Sequence, residues 1–96
     1  MYVGCCSIKF FLHGNHSLKG KRRIIRILKD RLKNKFNISI AEIGDQDLWQ
    51  SLQMGVVAVN SEAKYLEGQM NRVIDAIEKM HLAEITDHQV QITKLD

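Results

Sequence analysis

The spacing of apolar residues switches between two periods along this 96-residue chain, and the order of the switches restricts the fold more than any other sequence feature. In residues 2–12, apolar side chains recur at every second position, and the even-numbered ones form one mostly apolar face. This alternation predicts a first strand. Turn residues follow at 13–16, and then Ser17 supplies a helix N-cap. Beyond it a first helical stripe is formed by Leu18, Ile25, Leu28, Leu32 and Phe36.

The second half of the chain repeats these signals. Residues 37–43 alternate again and predict a second strand, Gly44 and Asp45 a turn, and residues 48–59 a third strand. Asn60 or Ser61 can cap a second helix. Its apolar positions recur three or four residues apart: Ala63, Leu66, Met70, Val73, Ile74, Ile77 and Met80. Residues 84–95 alternate once more and predict a fourth strand.

The resulting order is βαββαβ within a single domain spanning residues 1–96. Strand–helix–strand crossovers are almost always right-handed, which places both helices on the same face of one sheet. The sequence therefore predicts a ferredoxin-like α+β sandwich, with a four-stranded antiparallel sheet and two helices on one face.

The other face of this sheet is left without a helix. An apolar surface of this kind needs a partner, and the simplest one is a second copy of the chain. We therefore predict, as the alternative function, a structural homodimer or a protein-interaction domain that uses the open sheet face. Its candidate interface residues are Val3, Cys5, Phe11, Trp49, Val57 and Val59.

Positive charge is concentrated in the first helix. Residues 19–35 contain nine Lys or Arg and one acid, whereas the remainder of the chain contains five basic and ten acidic residues. Six basic positions lie within an arc of about 120° around the helix. These six are Lys19, Arg22, Arg23, Arg26, Lys29 and Lys33. Ordered along about 20 Å of helix, they match several phosphate spacings and favour an RNA- or ribosome-associated binding protein.

Other interpretations of the basic helix stay open. Asp30 lies within the stripe, four residues after Arg26 and three before Lys33, so it can neutralise part of the charge. The helix could also contact an acidic protein or membrane surface, or be a plain solvated face. The aromatic pattern of RNA-recognition motifs does not occur here, so we expect RNA contact through backbone charge and shape.

The remaining chemistry is sparse. His13 and His16 have no carboxylate or thiol at ligand spacing, and the adjacent Cys5 and Cys6 point to opposite faces of a strand. No nucleophile with a paired base and no glycine-rich phosphate loop is visible. We therefore predict a non-enzymatic protein with no catalytic residue, metal, cofactor or small-molecule substrate. No apolar run is long enough to span a membrane and the N-terminus does not resemble a signal peptide, so we expect a cytoplasmic location.

Three segments resemble the YlxP-like family of small bacterial proteins: HSLKGKRR (16–23), FNISIAE (36–42) and DLWQ (47–50). The resemblance covers nearly the whole chain. It implies a ferredoxin-like fold, a cytoplasmic bacterial protein, no established catalytic residues, and genes that often lie beside those of translation factors. One departure is Gly20, where the family usually has an acid that completes a capping box with the serine. We expect the Ser17 cap to survive, but with a looser first turn and a more positive helix start.

Overall fold

The computed structural model describes residues 1–96 and confirms the predicted order of elements. They are β1 (Tyr2–Phe11), α1 (Leu18–Lys35), β2 (Ser39–Gly44), β3 (Ser51–Asn60), α2 (Ala63–Met80) and β4 (Glu84–Lys94). The strands form one sheet in the order β2-β3-β1-β4, and each neighbouring pair is antiparallel. This is the predicted ferredoxin-like α+β sandwich.

The core lies between the helices and the even-numbered side chains of the two central strands. In β1 and β3 burial alternates strictly, as the two-residue period predicts. The apolar stripes of α1 and α2 pack onto this face, and the core comprises 17 buried apolar residues. Alternation also separates the two cysteines: Cys5 is exposed on the open face and Cys6 is buried, where loss of solvation raises the pKa of its thiol.

The third strand begins later than the sequence predicts. The sequence predicts a start at residue 48, but β3 begins at Ser51. Residues 45–50 form a turn in which Asp45 has left-handed backbone (φ 57°) and accepts a hydrogen bond from the Leu48 N–H at 3.0 Å. The sequence predicts Trp49 on the third strand. Because β3 begins only at Ser51, Trp49 lies instead in this turn, at one end of the sheet.

The start of α2 also differs in detail. Asn60 still belongs to β3, and its side-chain oxygen accepts a hydrogen bond from the Glu62 backbone N–H at 2.9 Å. The helix itself begins at Ala63, with Glu62 as its N-cap residue and no side-chain cap hydrogen bond, so the predicted cap at Asn60 or Ser61 is wrong. Neither α1 nor α2 has both the length and the apolar character that a membrane-crossing helix requires.

Candidate nucleic-acid interface

The six basic side chains predicted along α1 form one solvent-facing row, which we call the basic stripe. Five of them are exposed and Lys29 is half-buried. The chain has three ion pairs within 4.0 Å, and they involve His13, Lys21 and Lys94 rather than any member of the stripe. Asp30 forms no ion pair within 4.0 Å with Arg26 or Lys33, so neither cation is tied to a carboxylate.

Four members of the basic stripe converge at the beginning of α1, around a surface depression of about 510 Å³. We call it the basic depression. It is lined by Ser17, Lys19, Gly20, Arg22, Arg23 and Arg26. Every ionisable group on its wall is therefore a cation. An anion entering it would meet several positive side chains and no carboxylate.

The first turn of α1 shows what the glycine at position 20 permits. As predicted, Ser17 Oγ accepts a hydrogen bond from the Gly20 N–H, at 3.0 Å. The space that a side chain at position 20 would occupy is filled by the amide of Asn15, and an added Cβ would overlap its Oδ1. The same amide donates hydrogen bonds to the backbone oxygens of Ser17 (2.9 Å) and Trp49 (2.6 Å). A glycine here thus lets Asn15 tie the start of α1 to the 45–50 turn.

Lys21 lies next to the basic depression and has a role that the sequence analysis did not predict. It is one of the nine basic residues in residues 19–35, yet its side chain is buried, with 1% of its surface exposed. Its Nζ donates hydrogen bonds to the backbone oxygens of Asp45 (2.5 Å) and Leu48 (2.8 Å), and lies 3.2 Å from Glu42 Oε2. Lys21 therefore fixes the 45–50 turn from the inner side of α1.

A signal for this role was present in the spacing. Leu18 and Ile25 are seven residues apart in the apolar stripe, and Lys21 occupies the missing position between them. A lysine at a core-facing position must either reach solvent or find oxygen partners. Here the irregular backbone of the turn supplies the partners. A basic residue that falls in an apolar stripe is thus a candidate anchor for a nearby loop.

The side chain of Asp45 connects the turn to the start of β3. Its Oδ2 accepts a hydrogen bond from Ser51 Oγ at 2.6 Å. This bond, followed by one from Gln53, holds the pKa of the Asp45 carboxyl below its usual value. The turn thus carries an ionised carboxylate on the sheet side and is held by an ammonium group on the helix side.

The residues predicted as one interface on the open sheet face separate into two groups. Val3 pairs with Val59, and Cys5 pairs with Val57, so these four residues form one contiguous apolar cluster. We call them the valine patch. Phe11 lies six residues further along β1 than Cys5, or about 20 Å at the rise of a strand. Ser7, Lys9 and Gln53 lie between.

Phe11 and Trp49 instead border a second surface cavity of about 460 Å³, which we call the aromatic cavity. Its wall is formed by Phe11, His16, Asp47, Leu48, Trp49, Gln50 and Ser51. The six residues therefore do not form one contiguous apolar patch, and the interface itself stays a prediction. The two-residue period correctly predicts that the strand residues of this set share the open face of the sheet. It does not predict how far apart they lie along the strands, nor that the 45–50 turn places Trp49 outside β3.

Comparison with known proteins gives one family and one fold. Residues 3–90 match the family described as protein of unknown function (DUF503). The chain is 36% identical over 84 residues to the uncharacterized protein YlxP of Bacillus subtilis (strain 168), with 88% of this chain and 91% of that protein covered.

Similar solved structures include two proteins of low sequence identity. The de novo designed protein Foldit4 superposes with a TM-score of 0.56 at 12% identity, covering 100% of both chains. A putative antibiotic biosynthesis monooxygenase from Deinococcus radiodurans superposes with a TM-score of 0.55 at 10% identity, covering 100% of this chain and 93% of that one. At these identities the likeness concerns the fold alone.

Proposed function

Since this chain belongs to DUF503, a family of proteins of unknown function, we propose from the geometry of α1 that it is a non-enzymatic protein that binds RNA, free or in the ribosome. The basic stripe contacts the phosphate backbone. The observation that carries the proposal is the basic depression, where Lys19, Arg22, Arg23 and Arg26 line one surface without a carboxylate partner.

The dimensions of α1 support the same assignment. Lys19 and Lys33 are 14 residues apart, or about 21 Å at 1.5 Å per residue. A row of this length spans several consecutive phosphates of a nucleic-acid strand. Arginines predominate in the basic depression, and their guanidinium groups can donate two parallel hydrogen bonds to one phosphate.

The salt dependence of binding tests this proposal. Fluorescence anisotropy with structured ribosomal RNA fragments is expected to show log affinity falling linearly with log salt concentration. With at least four of the six basic side chains engaged, the slope should correspond to about four or more released counterions. A slope near zero, or no binding even at low salt, would contradict the proposal.

The valine patch favours a second role, as the contact between two copies of the chain. Val57 and Val59 are exposed on the open sheet face beside Cys5 and Val3. A cluster of apolar side chains on an uncovered sheet is removed from water when two sheets pack face to face. This homodimer is compatible with RNA binding, because α1 lies on the other side of the sheet.

A pair of matched substitutions tests the dimer. Val57 and Val90 are each 41% exposed, but Val90 lies on β4 outside the valine patch. We expect Val57→Glu to shift the mass measured by light scattering from dimer to monomer, while Val90→Glu leaves it unchanged. In the wild-type dimer, the Cys5 thiol should also be protected from a thiol reagent. A wild-type protein that stays monomeric at high concentration would exclude this interface.

A further inference from the structure

The aromatic cavity offers a kind of contact that the basic stripe alone cannot provide. Trp49 is 52% exposed although it is the largest apolar side chain of the protein. It shares the cavity with Phe11 and His16, so two aromatic rings and an imidazole border one opening. Exposed aromatic faces of this kind are the surfaces on which proteins stack unpaired nucleobases.

This cavity borders the basic depression. His16 lines the aromatic cavity, and Ser17, the next residue, lines the basic depression. The Asn15 amide joins the two sites by donating hydrogen bonds to the backbone oxygens of both Ser17 and Trp49. Lys21 holds the same turn through the Asp45 and Leu48 oxygens. The backbone that carries Trp49 is thus tied to α1 by two side chains, Asn15 and Lys21.

We infer that the two sites together bind an unpaired nucleotide of an RNA strand, with its base in the aromatic cavity and its neighbouring phosphates in the basic depression. This inference rests on the proposed RNA binding and specifies its substrate as single-stranded RNA. The charges of the walls agree with this division. The basic depression is lined by cations, whereas the aromatic cavity carries one carboxylate, Asp47, which would repel a phosphate.

Asp47 would repel a phosphate but can form hydrogen bonds with a base. Its oxygens can accept hydrogen bonds from the amino group of adenine, cytosine or guanine. A base inside a duplex is stacked between its neighbours and cannot place its face on Trp49. The interior of a duplex can therefore offer only its phosphates to the basic depression, while an unpaired strand engages both sites.

The single tryptophan of the chain makes stacking directly measurable. An unstructured eight-nucleotide RNA of adenine and cytosine is expected to quench Trp49 fluorescence as it saturates the protein. It should bind about tenfold more tightly than a blunt eight-base-pair RNA duplex. An abasic ribose–phosphate octamer, which keeps the phosphates but lacks bases, should bind without quenching. Equal quenching by the abasic octamer, or none by the intact one, would overturn the inference.

Two substitutions complete the test. Trp49→Ala should weaken binding of the octamer about tenfold and leave binding of the blunt duplex within about twofold. Trp49→Phe keeps an aromatic face and should retain most of the octamer affinity. If Trp49→Ala binds the octamer as well as the wild type does, base stacking is excluded while salt-dependent RNA binding stands. If none of the three ligands binds the wild type at low salt, the proposed function and this inference both fail.

Discussion

Replacing Lys21 by methionine is expected to lower the free energy of unfolding by about 3 kcal/mol. The substitution keeps a long apolar side chain in the stripe of α1 but removes the ammonium group. The Asp45 and Leu48 oxygens then lose their donor, and Glu42 loses its counter-charge at 3.2 Å. Restored apolar packing offsets only part of this loss, because unpaired buried polar groups are costly. Glu42 can reach water, so we place the effect at the lower end for a broken buried pair.

Thermal and denaturant unfolding measure this effect. In a domain of this size, a loss of about 3 kcal/mol corresponds to a fall in Tm of roughly 12–24 °C. Lys19→Met is the matched control, because Lys19 is exposed on the same turn of α1 and makes no ion pair. Its Tm should stay close to that of the wild type. Equal stability of the two variants would show that Lys21 does not anchor the turn.

Reversing two charges in the basic depression is expected to weaken RNA binding roughly 100-fold at physiological salt. The variant is Arg22→Glu/Arg26→Glu, which removes two cations and adds two carboxylates where phosphates approach. The loss should be similar for RNAs of different sequence, because phosphate contacts carry no sequence information. The slope of log affinity against log salt should fall by about 2, since two fewer counterions are released.

The control for this experiment has the same change in net charge at another place. Lys64 and Lys79 are exposed on α2 and line no part of the basic depression. Lys64→Glu/Lys79→Glu should therefore lower RNA affinity only slightly and keep the salt slope of the wild type. If both double variants lose affinity equally, the basic depression has no special role and binding depends on net charge alone. Circular dichroism of both proteins checks that the helices persist.

The elements and the core could be predicted because each follows from the local spacing of apolar residues. The alternation in residues 2–12 and the stripe ending at Phe36 depend only on backbone geometry. The start of β3 could not be predicted in this way. Residues 48–50 read from the sequence as part of the strand. Lys21, 24 residues before Asp45 in the chain, holds the backbone oxygens of Asp45 and Leu48 in a turn instead.

For the candidate site, the positions of the basic residues could be predicted from the sequence, but their contacts could not. The angular position of the six basic residues follows from the helical period, so the basic stripe is visible in the sequence. Whether Asp30 pairs with Arg26 depends on side-chain conformations, and the structure shows that it does not. The border between the aromatic cavity and the basic depression depends on Asn15, Ser17 and Trp49 meeting across 34 residues of chain. No local pattern encodes that contact.

The packing of Asn15 against Gly20 couples the first turn of α1 to the 45–50 turn. An added Cβ at position 20 would overlap Asn15 Oδ1, so the Asn15 amide would have to move aside. An acid at position 20 would close a capping box with Ser17 and displace the amide that holds Trp49. Positions 15 and 20 are therefore coupled: a Gly20→Glu variant is expected to gain the reciprocal cap bond and to lose the Asn15 hydrogen bond to the Trp49 oxygen.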